Sequence, residues 1–71
     1  MQEKELIDTL TKREREVASL VAQGASNYEA AVELGITERT VKDYLVSVYD
    51  KLRVRNRLHL VIRYGEQLKA A

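Results

Sequence analysis

Leu34-Gly35-Ile36-Thr37-Glu38-Arg39-Thr40-Val41-Lys42-Asp43-Tyr44-Leu45-Val46-Ser47-Val48-Tyr49-Asp50-Lys51-Leu52 is the stretch on which the fold turns. Within it Val41, Tyr44, Leu45, Val48 and Leu52 recur at offsets 0, 3, 4, 7 and 11, the spacing of a single stripe along an α-helix. That stripe is expected to face the core. Thr37, just after Gly35-Ile36, can cap the helix start through its hydroxyl, although its third position is Thr40 and so completes no capping box. The opposite face of this helix, expected over 38–52, presents Arg39, Lys42, Asp43, Val46 and Asp50.

Working outward, Gly24 and Gly35 fall between amphipathic segments, where a left-handed residue ends a helix. Thr11 with Glu14, and Ser26 with Glu29, are capping boxes that mark two helix starts. Helices are therefore expected near 12–23, 27–34, 38–52 and 57–69, the last opened by Asn56. Val17, Leu20 and Val21 of the first, Ala30, Ala31 and Leu34 of the second, and Leu10, Ile36 and Val54 in the connections complete one small core. The small side chains of Ala30 and Ala31 suit a close crossing of the second and third helices, and Gly35 in the short turn completes a helix-turn-helix pattern.

The fourth helix is apolar more than halfway round. Leu58, Val61, Ile62 and Leu68 share one face, while Leu60 and Tyr64 lie on another. A chain of 71 residues can hardly bury both. The expectation is a homodimer through this helix, with Leu58, Val61, Ile62, Tyr64 and Gly65 at the interface. The alternative is that Leu60 or Tyr64 simply lies exposed, as single apolar residues often do. Gly65 costs helix stability, about 1 kcal/mol against alanine, unless a close crossing uses the missing side chain.

Apolar residues at 45% and charged residues at 32% describe one globular domain, expected over 10–71 behind a loosely held leader at 1–9. No cysteine is present, which removes disulfides, thiol nucleophiles and cysteine-based zinc sites and suits the cytoplasm. No apolar run approaches the roughly 20 residues of a membrane span. His59 is the only histidine, Glu14 and Glu16 fall on different sides of a helix, and no glycine-rich phosphate loop occurs. Neither an enzyme, a metal site nor a cofactor is expected. Charge is distributed unevenly: residues 1–36 carry four basic and seven acidic side chains, whereas residues 37–57 carry six basic and three acidic. A polyanion would bind the second stretch.

Four strings add a resemblance. Leu10-Thr11-Lys12-Arg13-Glu14-Arg15-Glu16-Val17, Gly24-Ala25-Ser26-Asn27, Leu34-Gly35-Ile36-Thr37-Glu38-Arg39-Thr40-Val41-Lys42 and Lys51-Leu52-Arg53-Val54-Arg55-Asn56-Arg57 stand in the order and spacing of the LuxR/NarL/GerE family. The chain resembles those domains over about residues 10–65. The resemblance implies an all-α, four-helix helix-turn-helix domain that binds double-stranded DNA. The third helix would be the recognition helix in the major groove, and the fourth the dimerisation helix. It implies a base contact by Lys42, with Asp43 and Val46 at two further base-touching positions, and phosphate contacts by Thr40 and Lys51. Arg39, Ser47, Arg53 and Arg55 join them as candidate DNA contacts, and RNA polymerase is a further candidate partner. Arg57 is expected to pair instead with a carboxylate of the first helix. Tyr28 stands where family members commonly carry lysine, and Ala30, Ala18 and Tyr44 where isoleucine, leucine and histidine are common.

Two other readings stay open at this stage. Region 4 of a sigma factor shares the helix-turn-helix but does not account for Val54-Arg55-Asn56-Arg57 leading into a doubly apolar helix. A helix-turn-helix scaffold that binds protein rather than DNA would explain Asp43 and the low net charge of +1. The resemblance fits a stand-alone regulator and the output domain of a response regulator alike.

Overall fold

The structure, a computed structural model, describes the backbone of residues 6–70 and the side chains of residues 6–66. Its helices are α1 (Lys12–Ala22), α2 (Asn27–Leu34), α3 (Glu38–Leu52) and α4 (Arg57–Ala70), and no strand occurs among the described residues. All four starts follow from local side-chain chemistry. Thr11 and Ser26 close full capping boxes with Glu14 and Glu29. Thr37 accepts from the Thr40 amide at 3.1 Å, and Asn56 Oδ1 accepts from the His59 amide at 2.8 Å. Each cap satisfies one of the amides that a helix start leaves without a partner.

Three helix ends share one geometry. The amides of Ala25, Ile36 and Val54 reach back to the carbonyls of Leu20, Ala31 and Tyr49, each at 3.0 Å, the six-to-one bond of a Schellman motif. The left-handed residue this motif requires is Gly24 (φ +100°) after α1 and Gly35 (φ +67°) after α2. After α3 it is Arg53, with φ +58°.

α1 packs on α2, α3 and α4, and α2 packs on α3. Val17, Ala18 and Val21 of α1, Ala30 and Ala31 of α2, and Val41, Leu45, Val48 and Leu52 of α3 are buried, with Leu10 and Val54 closing the ends. Tyr44, Leu20, Leu34 and Ile36 are only half-buried at the margin. The fully buried Ala18 and Ala30 place backbone close to backbone where helices meet.

α4 settles the question its two apolar faces raised. Leu60 (0% exposed) and Tyr64 (4%) form the core face. Leu58 (68%) and Ile62 (52%) point outward, with Val61 and Gly65 half-buried between them. Tyr64 is thus corrected from interface residue to core residue: docking α4 on α1 buries its ring. Burial drives the Tyr64 phenol above its ordinary value, partly offset by the nearby Arg15 charge and the Ser19 side chain. Leu68 lies outside the described side chains. A Cβ added at Gly65 would meet nothing within 4 Å, so no crossing within the chain uses its missing side chain.

Of the expected leader, residues 1–5 lie outside the described residues. Leu6 and Ile7 pack against the core, and their carbonyls accept from the amides of Thr9 and Leu10 at 3.1 Å.

Candidate nucleic-acid interface

Because α3 buries Val41, Leu45, Val48 and Leu52 along one stripe, its remaining side chains are aimed by packing rather than by chance. Arg39, Lys42, Asp43, Val46 and Asp50 are exposed, Val46 to 69%. The face holds cations, anions and one apolar group. Arg39 Nε lies 3.8 Å from Asp43 Oδ1, with both side chains largely exposed. Asp43 therefore has a cationic neighbour one turn back, but a pair so open to water is worth a few tenths of a kcal/mol at most. Lys42 has no partner among the described residues.

Two expected DNA contacts are placed differently. Lys51 Nζ donates to Glu14 Oε1 at 2.8 Å, and Ser47 Oγ donates to Glu14 Oε2 at 2.6 Å. The same carboxylate accepts from the Thr11 amide at 2.8 Å. Glu14 is 6% exposed, and these bonds, those of Lys51 and Ser47 foremost, hold its carboxyl at about 2, below the ordinary 4.5, against the opposing effect of burial. Lys51 and Ser47 thus join α3 to the start of α1, and any phosphate would compete with a buried carboxylate for them. Glu14 had been legible only as a cap. Its second task spans 37 residues of sequence and depends on how α1 and α3 dock.

Arg57 is also corrected. Its guanidinium donates to Asn27 Oδ1 at 2.7 Å and to the Ala25 carbonyl at 2.6 Å, so it ties the start of α4 to the start of α2 rather than pairing with an α1 carboxylate. Arg53 and Arg55 are exposed beyond the end of α3. The Arg55 amide donates to His59 Nδ1 at 3.2 Å, which fixes the loop. Thr40 is half-buried, its hydroxyl 2.9 Å from that of Thr37.

No cluster of three or more histidine, cysteine, aspartate or glutamate side chains that could hold a metal ion occurs among the described residues. A hollow of about 460 Å³ is lined by α1, the end of α2 and Tyr64, without any residue of α3.

A four-helix core carrying a helix-turn-helix, with one helix presenting a mixed polar face and another an apolar outer edge, defines a small helix-turn-helix module. The family model for bacterial regulatory proteins of the luxR family matches residues 8–64, well over half of the sequence, and the chain belongs to that family. It is 43% identical over 58 residues to the transcriptional regulatory protein DesR of Bacillus subtilis, covering 82% of this chain and 29% of that protein. Nodulation protein W of Bradyrhizobium diazoefficiens is 46% identical over 65 residues, 92% of this chain and 28% of its own length. The transcriptional regulatory protein UhpA of Escherichia coli is 45% identical over 56 residues, covering 79% and 29%. The chain spans less than a third of the length of these relatives.

Proposed function

We propose that this chain is the sequence-reading part of a bacterial transcription regulator, with α3 in the major groove of double-stranded DNA. The observation that carries this reading is the exposed Arg39, Lys42, Asp43 and Val46 opposite the buried Val41, Leu45, Val48 and Leu52, in a member of a family of regulatory proteins. An α-helix fits the roughly 12 Å wide major groove. Lys42 donates to guanine, Asp43 accepts from the cytosine amino group and Val46 meets a thymine methyl. Thr40, Arg53 and Arg55 grip phosphates, while Lys51 and Ser47 act mainly by holding α3 in register on α1. The setting is the cytoplasm. Among the described residues no helix is long and apolar enough to cross a membrane.

The outer edge of α4, with Leu58, Val61, Ile62 and Gly65, pairs with its counterpart in a second copy. The preferred site is then an inverted repeat with half-sites about 10 base pairs apart. RNA polymerase is the further partner such a regulator meets. Selection of sites from a random DNA pool tests binding, specificity and half-site symmetry together. Recovery of no enriched sequence would return the domain to the protein-binding reading.

Lys42→Ala is expected to cost about 1–3 kcal/mol on the selected site and to relax one base position. Gel shifts on selected and random duplexes check it, and equal weakening on both would take Lys42 off the bases. Asp43→Ala has the opposite sign on random DNA. Removing an anion from beside phosphates, and releasing Arg39 from its one carboxylate neighbour, should tighten random binding by up to about 1 kcal/mol while preference at one base pair is lost. If both duplexes weaken together, Asp43 does not face DNA.

A further inference from the structure

Arg53 stands at the left-handed position that closes the Schellman motif of α3, with φ +58° and ψ +42°. It is the only residue other than glycine with positive φ among the described residues, and the two preceding helix ends place Gly24 and Gly35 at the same point of the same motif. An L side chain is disfavoured there because its Cβ crowds the following carbonyl, whereas glycine is not. Nothing among the described residues offsets that penalty through the guanidinium: the Arg53 side chain is exposed and makes no hydrogen bond or ion pair with a described residue, its amide alone reaching the Asp50 carbonyl at 3.3 Å. The carbonyl dipoles at the end of α3 attract a cation weakly, but an exposed end is well screened.

The neighbourhood says what the side chain is available for. Lys51, two residues earlier, is committed to Glu14, and Arg57 is committed to Asn27 and Ala25. Between them Arg53 and Arg55 are the exposed guanidinium groups left beside the C-terminal end of α3. The backbone that presents them is held at both sides, by the Val54 amide on the Tyr49 carbonyl at 3.0 Å and by the Arg55 amide on His59. The strained residue therefore projects a positioned cation from a fixed corner.

We infer that Arg53 is retained at this helix end, against folding stability, to seat its guanidinium on a backbone phosphate of DNA bound by α3. The inference rests on the DNA-binding reading and adds that a glycine would fold better here and grip worse. It differs from a general basic patch in requiring stability and affinity to move in opposite directions at one position.

The test compares Arg53→Gly and Arg53→Lys with the unaltered chain, by thermal unfolding and by titration of a mixed-sequence duplex across a salt series. Arg53→Gly is expected to raise the unfolding midpoint by about 4 °C, weaken duplex binding about fivefold at low salt, and flatten the salt slope by about one unit. Arg53→Lys keeps charge and backbone geometry and should leave midpoint and salt slope nearly unchanged. A more stable glycine variant that binds as well as the unaltered chain overturns the inference. So does a less stable glycine variant, or a lysine variant that binds as poorly as glycine. If the unaltered chain binds no duplex at any salt, the DNA reading itself fails; that result is recognised in the unaltered chain alone, before either variant is compared.

Discussion

Tyr64→Glu is expected to leave the chain unfolded at room temperature, whereas Ile62→Glu, half a turn away on the same helix, is expected to fold normally and lose only its self-association. The difference comes from which face of α4 each residue occupies. Tyr64 is 4% exposed beside the fully buried Leu60, and Ile62 is 52% exposed. Putting a carboxylate in place of the buried ring removes its packing and draws a charge into the core with only the exposed Arg15 nearby to offset it, a loss of more than about 4 kcal/mol. A domain this small has only about 5 kcal/mol to lose. Tyr64→Phe separates packing from polarity: it keeps the buried ring, removes only the hydroxyl and should cost no more than about 1 kcal/mol. Circular dichroism during urea unfolding reads all three variants. For Ile62→Glu the added measurement is cooperative filling of two half-sites, which should vanish because a like charge is placed against its own copy across the proposed two-fold axis. A folded Tyr64→Glu would mean that α4 docks by its other face. Retained cooperativity in Ile62→Glu would remove this edge from the interface.

Glu14→Ala is expected to destabilise the domain by about 3 kcal/mol, because it strands the half-buried Lys51 ammonium and leaves the Ser47 hydroxyl and Thr11 amide without their acceptor. Glu14→Gln keeps the shape and much of the hydrogen bonding and should cost about half as much. The same carboxylate gives the fold a pH dependence of definite sign. Its acid form is disfavoured in the native state, where it titrates at about 2 instead of 4.5. Its contribution is therefore fully present above pH 4.5 and is lost as pH falls from 4.5 towards 2. The shift corresponds to about 3 kcal/mol, and to about 2 after allowance for solvent around so shallow a core. Unfolding midpoints measured down that range should fall steeply for the unaltered chain and less for Glu14→Gln by about that amount. Parallel curves would show that some other carboxylate sets the acid limit. Near neutral pH, Glu14→Gln should also weaken DNA binding more than its modest stability loss explains, since freeing Lys51 and Ser47 loosens the register of α3 on α1.

The helices could be placed without any tertiary information because their boundaries are written in contacts between residues three to six apart. Thr11 with Glu14, Ser26 with Glu29, Thr37 with the Thr40 amide, and the glycines at 24 and 35 need only their own neighbours. The α3 stripe is equally local, since a 3.6-residue period with one apolar face has only one way to bury itself. From these follow the all-helical fold, the helix-turn-helix and the outward set Arg39, Lys42, Asp43 and Val46. The end of α3 also falls at residue 52 as expected, although Arg53 rather than glycine occupies the left-handed position that follows it.

Only the packed structure decided the rest, and in each case the deciding contact joins residues far apart in sequence. α4 offers two apolar faces of similar hydrophobicity, and its docking on α1 chose Leu60 and Tyr64 for the core and left Leu58 and Ile62 outside. Lys51 and Ser47 read as cations and hydroxyls facing a ligand until α1 brought Glu14 against them. Arg57 met Asn27 and the Ala25 carbonyl across 30 and 32 residues. A charge pattern records which groups a chain owns, but a buried carboxylate takes whichever cations the helix packing delivers, and that choice is made when the helices dock.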